Sequence, residues 1–339
     1  MTRHLTIAGL LALVLCTPAC QKRWSFEPKS YYDPLSAGVR DANVAALGLA
    51  FSDSFSHQVK TKSPRQVWDI DLGIELPIIG WESQRGVNSM PVGAFGVGFW
   101  IPIDFHMIED FEDDSKPIIN TDYRFGGMFK LQYRKAAQTF LSTRLFIGHE
   151  STHLGDEFSL AGQREHPGTF ERINVSWEYI DLGVQYQRDF PDRGHTLRAR
   201  LGLTTTVPFN DSYYSVDAAS ATQSAIGPVI ESHNSIDPYF GFEYVIDNVL
   251  AKASGSGAWS VYLSTEIRYR SVYDYHRASA DVAEDRQPSI NVVLGIQKPG
   301  GRFDRVSPFL RIYQGVNPHG QFRNQKGFTL VGAGLRLQP

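Results

Sequence analysis

Apolar and polar side chains alternate along most of this chain with a period of two residues. The clearest stretch is 120–134, where one set of alternate positions is apolar or glycine and the other includes Arg124, Lys130 and Arg134. Because successive side chains of a strand point to opposite faces, this pattern predicts a β-strand with one apolar and one charged face. The stretches with this pattern are 44–52, 66–76, 92–106, 120–134, 141–151, 169–189, 196–207, 236–246, 259–271, 290–298, 305–315 and 328–337.

One stretch, 169–189, changes phase near Tyr179 and Ile180. Such a slip marks either a turn or a one-residue β-bulge. If the stretch is one bulged strand, long and short connections alternate through most of the chain, as in outer-membrane barrels, although the 77–91 link fits poorly. We therefore prefer the bulge, which gives about twelve strands and places both termini at the rim of short turns. The long connections are 107–119, 152–168, 209–234, 272–287 and 317–326, and the shorter ones are 135–138, 190–194, 248–256 and 299–304.

Alternation alone does not decide which face is buried. A soluble β-sandwich buries its apolar face, whereas a barrel in lipid turns that face outward and encloses the charges. The even strand count, the strand lengths, the interleaved glycine and arginine and an N-terminal export signal favour the second arrangement. The sequence thus predicts an all-β fold, an antiparallel transmembrane β-barrel of about twelve strands. Because charges of both signs are interspersed on the inner face, we expect a mostly filled lumen.

Composition narrows the class of protein further. The 339 residues carry a formal net charge of −3 and no basic patch, so we expect no binding to nucleic acid. The mean hydropathy is −0.25, and past residue 15 no apolar run approaches the roughly 18 residues that a spanning helix needs. Aromatic residues make up 12% of the chain, which suits both strands and the aromatic girdles of a membrane barrel.

The N-terminus has the organisation of an export signal, with a short polar start, an apolar core over 7–15 and small residues before Cys20. Cys16 would leave with the signal, so the mature chain would hold Cys20 and no internal disulfide. Cleavage just before Cys20 would expose it at the position that bacterial lipoproteins acylate. Thr17 and Pro18 depart from the usual lipoprotein signal, and lipidation at Cys20 stays open. The expected division is 1–19 signal peptide, 20–43 periplasmic lead and 44–339 barrel, located in the bacterial outer membrane.

A group of polar residues lies where one predicted strand leaves its apolar stretch. The apolar face of this strand runs from Leu141 to Ile147, and the next residues on that face are His149, Ser151 and His153. Cα atoms two residues apart along a strand lie about 6.6 Å apart. A base-type and a nucleophile-type side chain at this spacing come within hydrogen-bond reach, on a face that the barrel would turn toward lipid.

This spacing suggests acyl-ester hydrolysis, which needs an activated hydroxyl, a base and a group that orients the base. We expect Ser151 to be the nucleophile and His149 the base. If the 152–168 loop closes symmetrically, Glu171 comes opposite His149 and is the most plausible orienting acid.

A structural role is the alternative for these residues. The polar side chains would then mark where the strand leaves the bilayer, with His153, Asp156 and Glu157 tying the strand end to its loop. A metal ion shared by His149 and His153 is not expected, because residues four apart on an extended strand stand roughly 13 Å apart. Asp156 and Glu157 could contribute to a Ca²⁺ site with loop carbonyls. No motif requires that ion, and we expect no cofactor.

The stretch 148–158, Gly-His-Glu-Ser-Thr-His-Leu-Gly-Asp-Glu-Phe, resembles the His-x-Ser-x-His-Leu-Gly-Asp-Glu signature of a family of uncharacterised bacterial outer-membrane barrels, domain of unknown function 1207. The segments 172–178 and 319–322 support the resemblance, which implies location and fold but no activity. The signature residues are His149, Ser151, His153, Leu154, Gly155, Asp156 and Glu157.

A second resemblance is local. The spacing of His149 and Ser151 is similar to the His-x-Ser pair that outer-membrane phospholipase A and the lipid A 3-O-deacylase carry on the lipid-facing side of a strand. The Asn that commonly follows the Ser in those enzymes is Thr152 here.

Three hypotheses of function follow, each from a different class. The first is a hydrolase of lipid or lipopolysaccharide acyl esters, the second a narrow channel through the arginine-rich interior, and the third a structural or surface-interaction barrel that uses long loops such as 209–234. The expected partners are outer-membrane lipids, and no oligomeric state is predicted.

Overall fold

The computed structural model describes residues 23–25, 35–38, 43–51, 64–83, 90–112, 114, 116–156, 160, 164, 172–216, 223–227, 236–249, 259–272, 286–297, 306–323 and 326–337. The strands are β1 (Arg23–Ser25), β2 (Asn43–Phe51), β3 (Arg65–Glu82), β4 (Phe95–Asp110), β5 (Ile118–Ala136), β6 (Thr139–Leu154), β7 (Arg172–Phe190), β8 (His195–Val216), β9 (Gln223–Gly227), β10 (Ile236–Ile246), β11 (Ser260–Ser271), β12 (Arg286–Gln297), β13 (Val306–Gly315) and β14 (Phe328–Leu337). The described residues also include two 3-10 helices, Pro191–Arg193 and Gly320–Phe322. Within these residues, no helix is long and apolar enough to cross a membrane.

Twelve of the strands form one closed antiparallel barrel, as predicted. Each pairs with its neighbours in chain order, with β8 next to β10, and β14 closes the ring on β2 with Leu337 opposite Asn43. Closure gives every barrel strand a pairing partner on both sides over part of its length. The two remaining strands are short additions, because β1 pairs with the end of β3 and β9 with the end of β8.

Several strands are longer than the sequence pattern predicted. β3 continues past Pro77 to Glu82 through a register shift between Pro77 and Ile79, so the poorly fitting link begins at residue 83. β8 continues to Val216, and part of the predicted 209–234 loop is therefore strand. The prediction that 169–189 forms one strand is confirmed by β7, but the predicted bulge in it was wrong. β7 pairs with β6 in one register from Arg188 to Val175, and at the register shift against β8 the extra residues, 208–211, belong to β8. The phase of the sequence changes because Trp177 and Tyr179 are apolar side chains buried on the inner face.

The polarity of the barrel is inverted relative to a soluble domain. Leu201 and Phe125, on the outer face, are 65% and 56% exposed, whereas Lys130 and Arg200, on the inner face, are each 1% exposed. In water this arrangement would expose large apolar side chains and desolvate charges, but in a bilayer the lipid covers the outer face. The apolar faces therefore look toward lipid, as the alternation predicted.

Charged side chains on the inner face pair between adjacent or nearby strands of the wall. Arg200 Nη2 bonds Glu266 Oε2 at 2.5 Å, and Arg144 Nη2 bonds Asp181 Oδ1 at 2.7 Å. Asp181 also accepts a hydrogen bond at 2.7 Å from the Thr204 hydroxyl. A buried charge is tolerated when it is both paired and hydrogen-bonded, so this network makes the charged interior compatible with folding.

One described segment of the N-terminal lead, residues 35–38, lies inside the barrel. Residues 35–38 form a buried turn at the rim where β2 begins and β14 ends. The Ser36 amide donates to Glu243 Oε2 at 2.7 Å, and the Ala37 amide donates to Ser264 Oγ at 3.0 Å. These four residues therefore contribute to filling the lumen.

The connection between β13 and β14 enters the barrel from the opposite rim. We call residues 316–323 the plug loop. Its Arg323 bonds Asp237 Oδ2 at 2.5 Å and lies 5.8 Å from the centre of the Trp177 ring. Its Phe322 belongs to a buried apolar cluster that includes Leu154 of β6. The plug loop thus occupies the lumen at the long-loop end, in agreement with the expectation of a mostly filled lumen.

Candidate functional site

The residues at the end of β6 divide between the two faces of the barrel. His149, Ser151 and His153 continue the outward face of Ile147 and are partly exposed, whereas Glu150, Thr152 and Leu154 point inward and are buried. This division follows from the strict alternation of the strand, whose pairing with β5 keeps one register from Arg134 to Asn120. The signature segment therefore contributes to an outer and an inner group.

Ser151 and His153 form the central contact of the outer group. Ser151 Oγ and His153 Nε2 are 2.8 Å apart, a normal hydrogen-bond distance. The His153 ring lies edge-on to the outward Tyr123 of β5, with ring centres 5.9 Å apart. The imidazole at hydrogen-bond distance from the Ser151 hydroxyl is thus that of His153, whereas the prediction paired Ser151 with His149.

His149 has a different partner across the sheet. Its Nδ1 lies 3.2 Å from Glu178 Oε1, and the two residues are directly opposite in the β6–β7 register. The prediction that Glu171 stands opposite His149 was wrong in register, because β6 continues to Leu154 and the loop begins later than assumed. Glu171 itself lies outside the described residues.

The outer group lies near the edge of the region that lipid would cover. β6 begins at Thr139 after the short 137–138 turn, and Ser151 is twelve residues further along. A strand tilted by about 40° rises roughly 2.5 Å per residue along the barrel axis, so Ser151 is about 30 Å from that rim, slightly beyond an apolar band of about 25 Å. We therefore expect Ser151 at head-group depth on the long-loop side.

The inner group connects the end of β6 to the plug loop. Thr152 Oγ1 donates to Asn120 Oδ1 at 3.1 Å, and Asn120 Nδ2 donates to Asp122 Oδ1 at 2.8 Å. The Gly320 amide donates to both Asp122 oxygens, at 3.2 and 3.1 Å. The signature and the 319–322 segment, which are distant in sequence, thus meet inside the barrel.

Next to this network, two buried imidazoles stack on each other. The ring centres of His106 and His319 are 4.2 Å apart, and His106 Nε2 is 2.7 Å from Asp69 Oδ1. Asp69 Oδ2 also accepts a hydrogen bond from Arg311 Nη1 at 2.6 Å. Burial, with the neighbouring His106, lowers the pKa of His319 well below its usual value, so His319 is neutral near pH 7.

Asp69, His106 and His319 are the described residues that could hold a metal ion. Sequence reasoning did not find this group, because its members come from β3, β4 and the plug loop and share no spacing pattern. The one indication in the sequence was that His319 belongs to the segment 319–322, which supports the family resemblance. Of the residues considered for Ca²⁺, Asp156 is exposed, and Glu157 lies outside the described residues, as does Cys20.

A closed twelve-stranded antiparallel barrel with an apolar exterior and a charged, filled interior defines a transmembrane barrel of the bacterial outer-membrane type. Residues 60–194 match the model of a family described as protein of unknown function (DUF1207). This match confirms the resemblance predicted from the sequence over those residues, which include the end of β6. No curated protein matches the chain.

Solved structures with a similar architecture are also outer-membrane proteins. Outer membrane phospholipase A from Escherichia coli is 12% identical, with a TM-score of 0.44 over 93% of this chain and 94% of that one. The beta domain of the Bordetella autotransporter BrkA is 11% identical, with a TM-score of 0.41 over 88% and 100%. The translocator domain of the autotransporter NalP from Neisseria meningitidis is 8% identical, with a TM-score of 0.40 over 87% and 86%. These likenesses concern the fold alone.

Proposed function

We propose that this protein is an acyl-ester hydrolase that acts on outer-membrane lipids, either phospholipid or lipopolysaccharide, at the outer surface of the barrel. The observation that carries the proposal is the 2.8 Å contact between Ser151 Oγ and His153 Nε2 on the lipid-facing side of β6. An outward serine with an imidazole at hydrogen-bond distance has the two groups that start acyl transfer. Its depth near the head groups is where the acyl esters of lipids lie.

The chemistry follows from these two side chains. His153 Nε2 accepts the hydroxyl proton as Ser151 Oγ attacks the ester carbonyl carbon, and a tetrahedral oxyanion forms. The protonated His153 then gives that proton to the departing alcohol oxygen, which leaves an acyl-Ser151 ester. A water molecule, deprotonated by the same imidazole, attacks this ester, and fatty acid and free Ser151 result.

His149 takes a positioning role in this proposal instead of the predicted role of base. Glu178 Oε1 lies 3.2 Å from Nδ1 of His149, a contact that holds the imidazole ring on the outer face. This ring is two residues from Ser151 on the same face, where it can contact a bound acyl ester and position its carbonyl against the serine hydroxyl. Glu178, and not Glu171, is then the acid that orients this histidine.

The test is release of labelled fatty acid by the purified barrel from phospholipid and, separately, from lipopolysaccharide. Ser151→Ala and His153→Gln are each expected to lose activity at least about 100-fold, the usual contribution of a nucleophile or base. His149→Gln is expected to lose less. Ser142→Ala is the matched control, because Ser142 lies on the same strand but is buried on the inner face. Equal release by native protein and Ser151→Ala would remove the hydrolase proposal.

A structural or surface-interaction barrel is the second candidate function. It is favoured by the inner half of the same signature, in which Thr152 and Leu154 support the plug loop and take no part in the proposed chemistry. An open channel has less support, because residues 35–38 and the plug loop occupy the lumen from opposite rims. Export through the periplasm, with 1–19 as signal peptide, remains part of the proposal.

A further inference from the structure

Three residues from three separate elements meet inside the barrel at the level of the plug loop. Asp69 comes from β3, His106 from β4 and His319 from the plug loop, and all three are buried. One ligand-type atom of each lies within 4.8 Å of the other two. The site is on the opposite side of the barrel wall from Ser151 and takes no part in the hydrolase proposed above.

His319 is the unusual member of this group. It is 0% exposed, and among the residues that the structure describes neither of its ring nitrogens has a hydrogen-bond partner. Its Nε2 lies 3.7 Å from Asp69 Oδ1, and its Nδ1 lies 4.0 Å from Asp122 Oδ2. Buried polar groups are normally satisfied, and these separations are too long for direct hydrogen bonds. A buried imidazole with an unbonded nitrogen facing a carboxylate points to a ligand between them.

We propose that Asp69, His106 and His319 bind one divalent transition-metal ion, such as Zn²⁺, which fastens the plug loop to the barrel wall. Zn²⁺ binds imidazole nitrogen and carboxylate oxygen at about 2.0–2.2 Å, so neighbouring ligands of one tetrahedral ion stand roughly 3.3 Å apart. The distances from Asp69 Oδ1 to His106 Nε2, 2.7 Å, and to His319 Nε2, 3.7 Å, lie on either side of this value.

The surroundings suit a bound cation. Arg311 holds Asp69 by Oδ2, which orients the carboxylate and leaves Oδ1 toward the histidines. A hydrogen bond of this kind from outside the ligand set is a usual support of metal ligands. Asp122 and Glu150 bring two further carboxylates close by. Two imidazoles and one carboxylate are a ligand set that first-row transition metals accept, whereas Ca²⁺ and Mg²⁺ prefer oxygen.

The experiment uses the full chain, refolded in detergent with and without Zn²⁺ because the site is enclosed. Metal per folded chain is measured by mass spectrometry after passage over a weak chelator, and affinity by competition with a chromogenic chelator. We expect about one Zn²⁺ per native chain and at least tenfold weaker binding in His319→Gln and Asp69→Asn. His195→Gln is the matched control, because His195 contacts Tyr244 near the other rim, and it should bind like the native protein.

A second measurement on the native chain does not depend on the folding of any variant. Refolding with Co²⁺ should give the strong visible absorption of a low-coordinate, nitrogen-ligated ion, and Zn²⁺ should abolish it by displacement. The proposal is overturned if native protein retains no metal and shows only the weak absorption of hydrated Co²⁺. It is also overturned if folded His319→Gln binds as tightly as native, or if binding is lost in His149→Gln instead, which would place the ion on the outer surface.

Discussion

The end of β6 depends on a residue without a side chain. Gly155 follows Leu154, and its amide donates to Ile119 O at 3.1 Å. A Cβ placed on Gly155 would lie 1.7 Å from the carbonyl oxygen of Ile118. That atom belongs to the backbone of β5 and cannot move without breaking the ladder. The glycine of the signature therefore allows β6 and β5 to approach closely where both leave the barrel wall.

Replacing this glycine should destabilise the barrel. We expect Gly155→Ala to lower the free energy of unfolding by roughly 3 kcal/mol, at the upper end of ordinary single substitutions, because backbone must shift. The measurement is the urea midpoint of the refolded protein in detergent. Gly127→Ala is the control, since its Cβ would meet the Phe99 ring at 3.1 Å and a side chain can yield. Similar midpoints for both variants would show that the close approach is not important.

The sequence predicted which residues form the outer group, but not which side chains within and beside it contact each other. Alternation alone places His149, Ser151 and His153 on one face, whatever the register of the neighbouring strand. Which histidine bonds Ser151 depends on what lies across the sheet, and Glu178 provides a partner for His149. That partner follows from the β6–β7 register, which is set by the true strand ends and not by the sequence spacing.

At the scale of strands, the sequence predicted the number and the faces better than the ends. The predicted ends of β3 and β8 coincide with prolines, which have no amide hydrogen for the ladder. Both strands continue past their proline because the register shifts there. In β3 the shift lies between Pro77 and Ile79. In β8 the shift lies beside Pro208, opposite Ser176–Glu178 of β7. A bulge accommodates a proline that a regular ladder would exclude.

The outward direction of the apolar faces can be tested on one strand. Leu201 lies on the outer face of β8, six residues from the strand's start at His195, which is near the middle of an apolar band of about 25 Å. We expect Leu201→Arg to destabilise the barrel in lipid by about 2–4 kcal/mol, the cost of a cationic side chain at the bilayer midplane. The measurement is reversible urea unfolding in lipid vesicles.

The control for that substitution is Asp192→Arg in the short connection between β7 and β8, where the side chain is exposed beyond the strands. A change within about 0.5 kcal/mol is expected there, as for most surface substitutions. If Leu201→Arg were equally harmless, the outer face of β8 would be in water, and the membrane assignment would be contradicted.

At the scale of the whole molecule, the filling of the lumen follows from contacts that sequence patterns do not encode. The mixed charges of the inner face predicted a filled lumen. The plug loop and residues 35–38 were not predicted, because each reaches side chains far away in the chain. Ser36 meets Glu243, and Arg323 meets Asp237. Such pairs depend on the closed barrel bringing distant strands together, and no local spacing identifies them.

Both segments lie outside the barrel strands, so each can be removed from the chain without cutting a strand. Gly315 and Phe328 are directly opposite in the β13–β14 ladder, so a two-residue Asn-Gly turn can replace 316–327. Residues 35–38 can be deleted separately, because they precede β2. Native protein in a planar bilayer is expected to give little ion conductance. Each single deletion should change conductance only slightly, since the other segment still occupies its half of the lumen, whereas the double deletion should produce discrete channel openings.

The single deletions serve as controls, because they share the refolding procedure and the barrel of the double variant. Steady openings of the native protein would contradict the filled lumen and revive the channel hypothesis. A double variant that folds but never conducts would mean that the side chains of the barrel wall close the lumen by themselves, with both segments serving stability instead of occlusion.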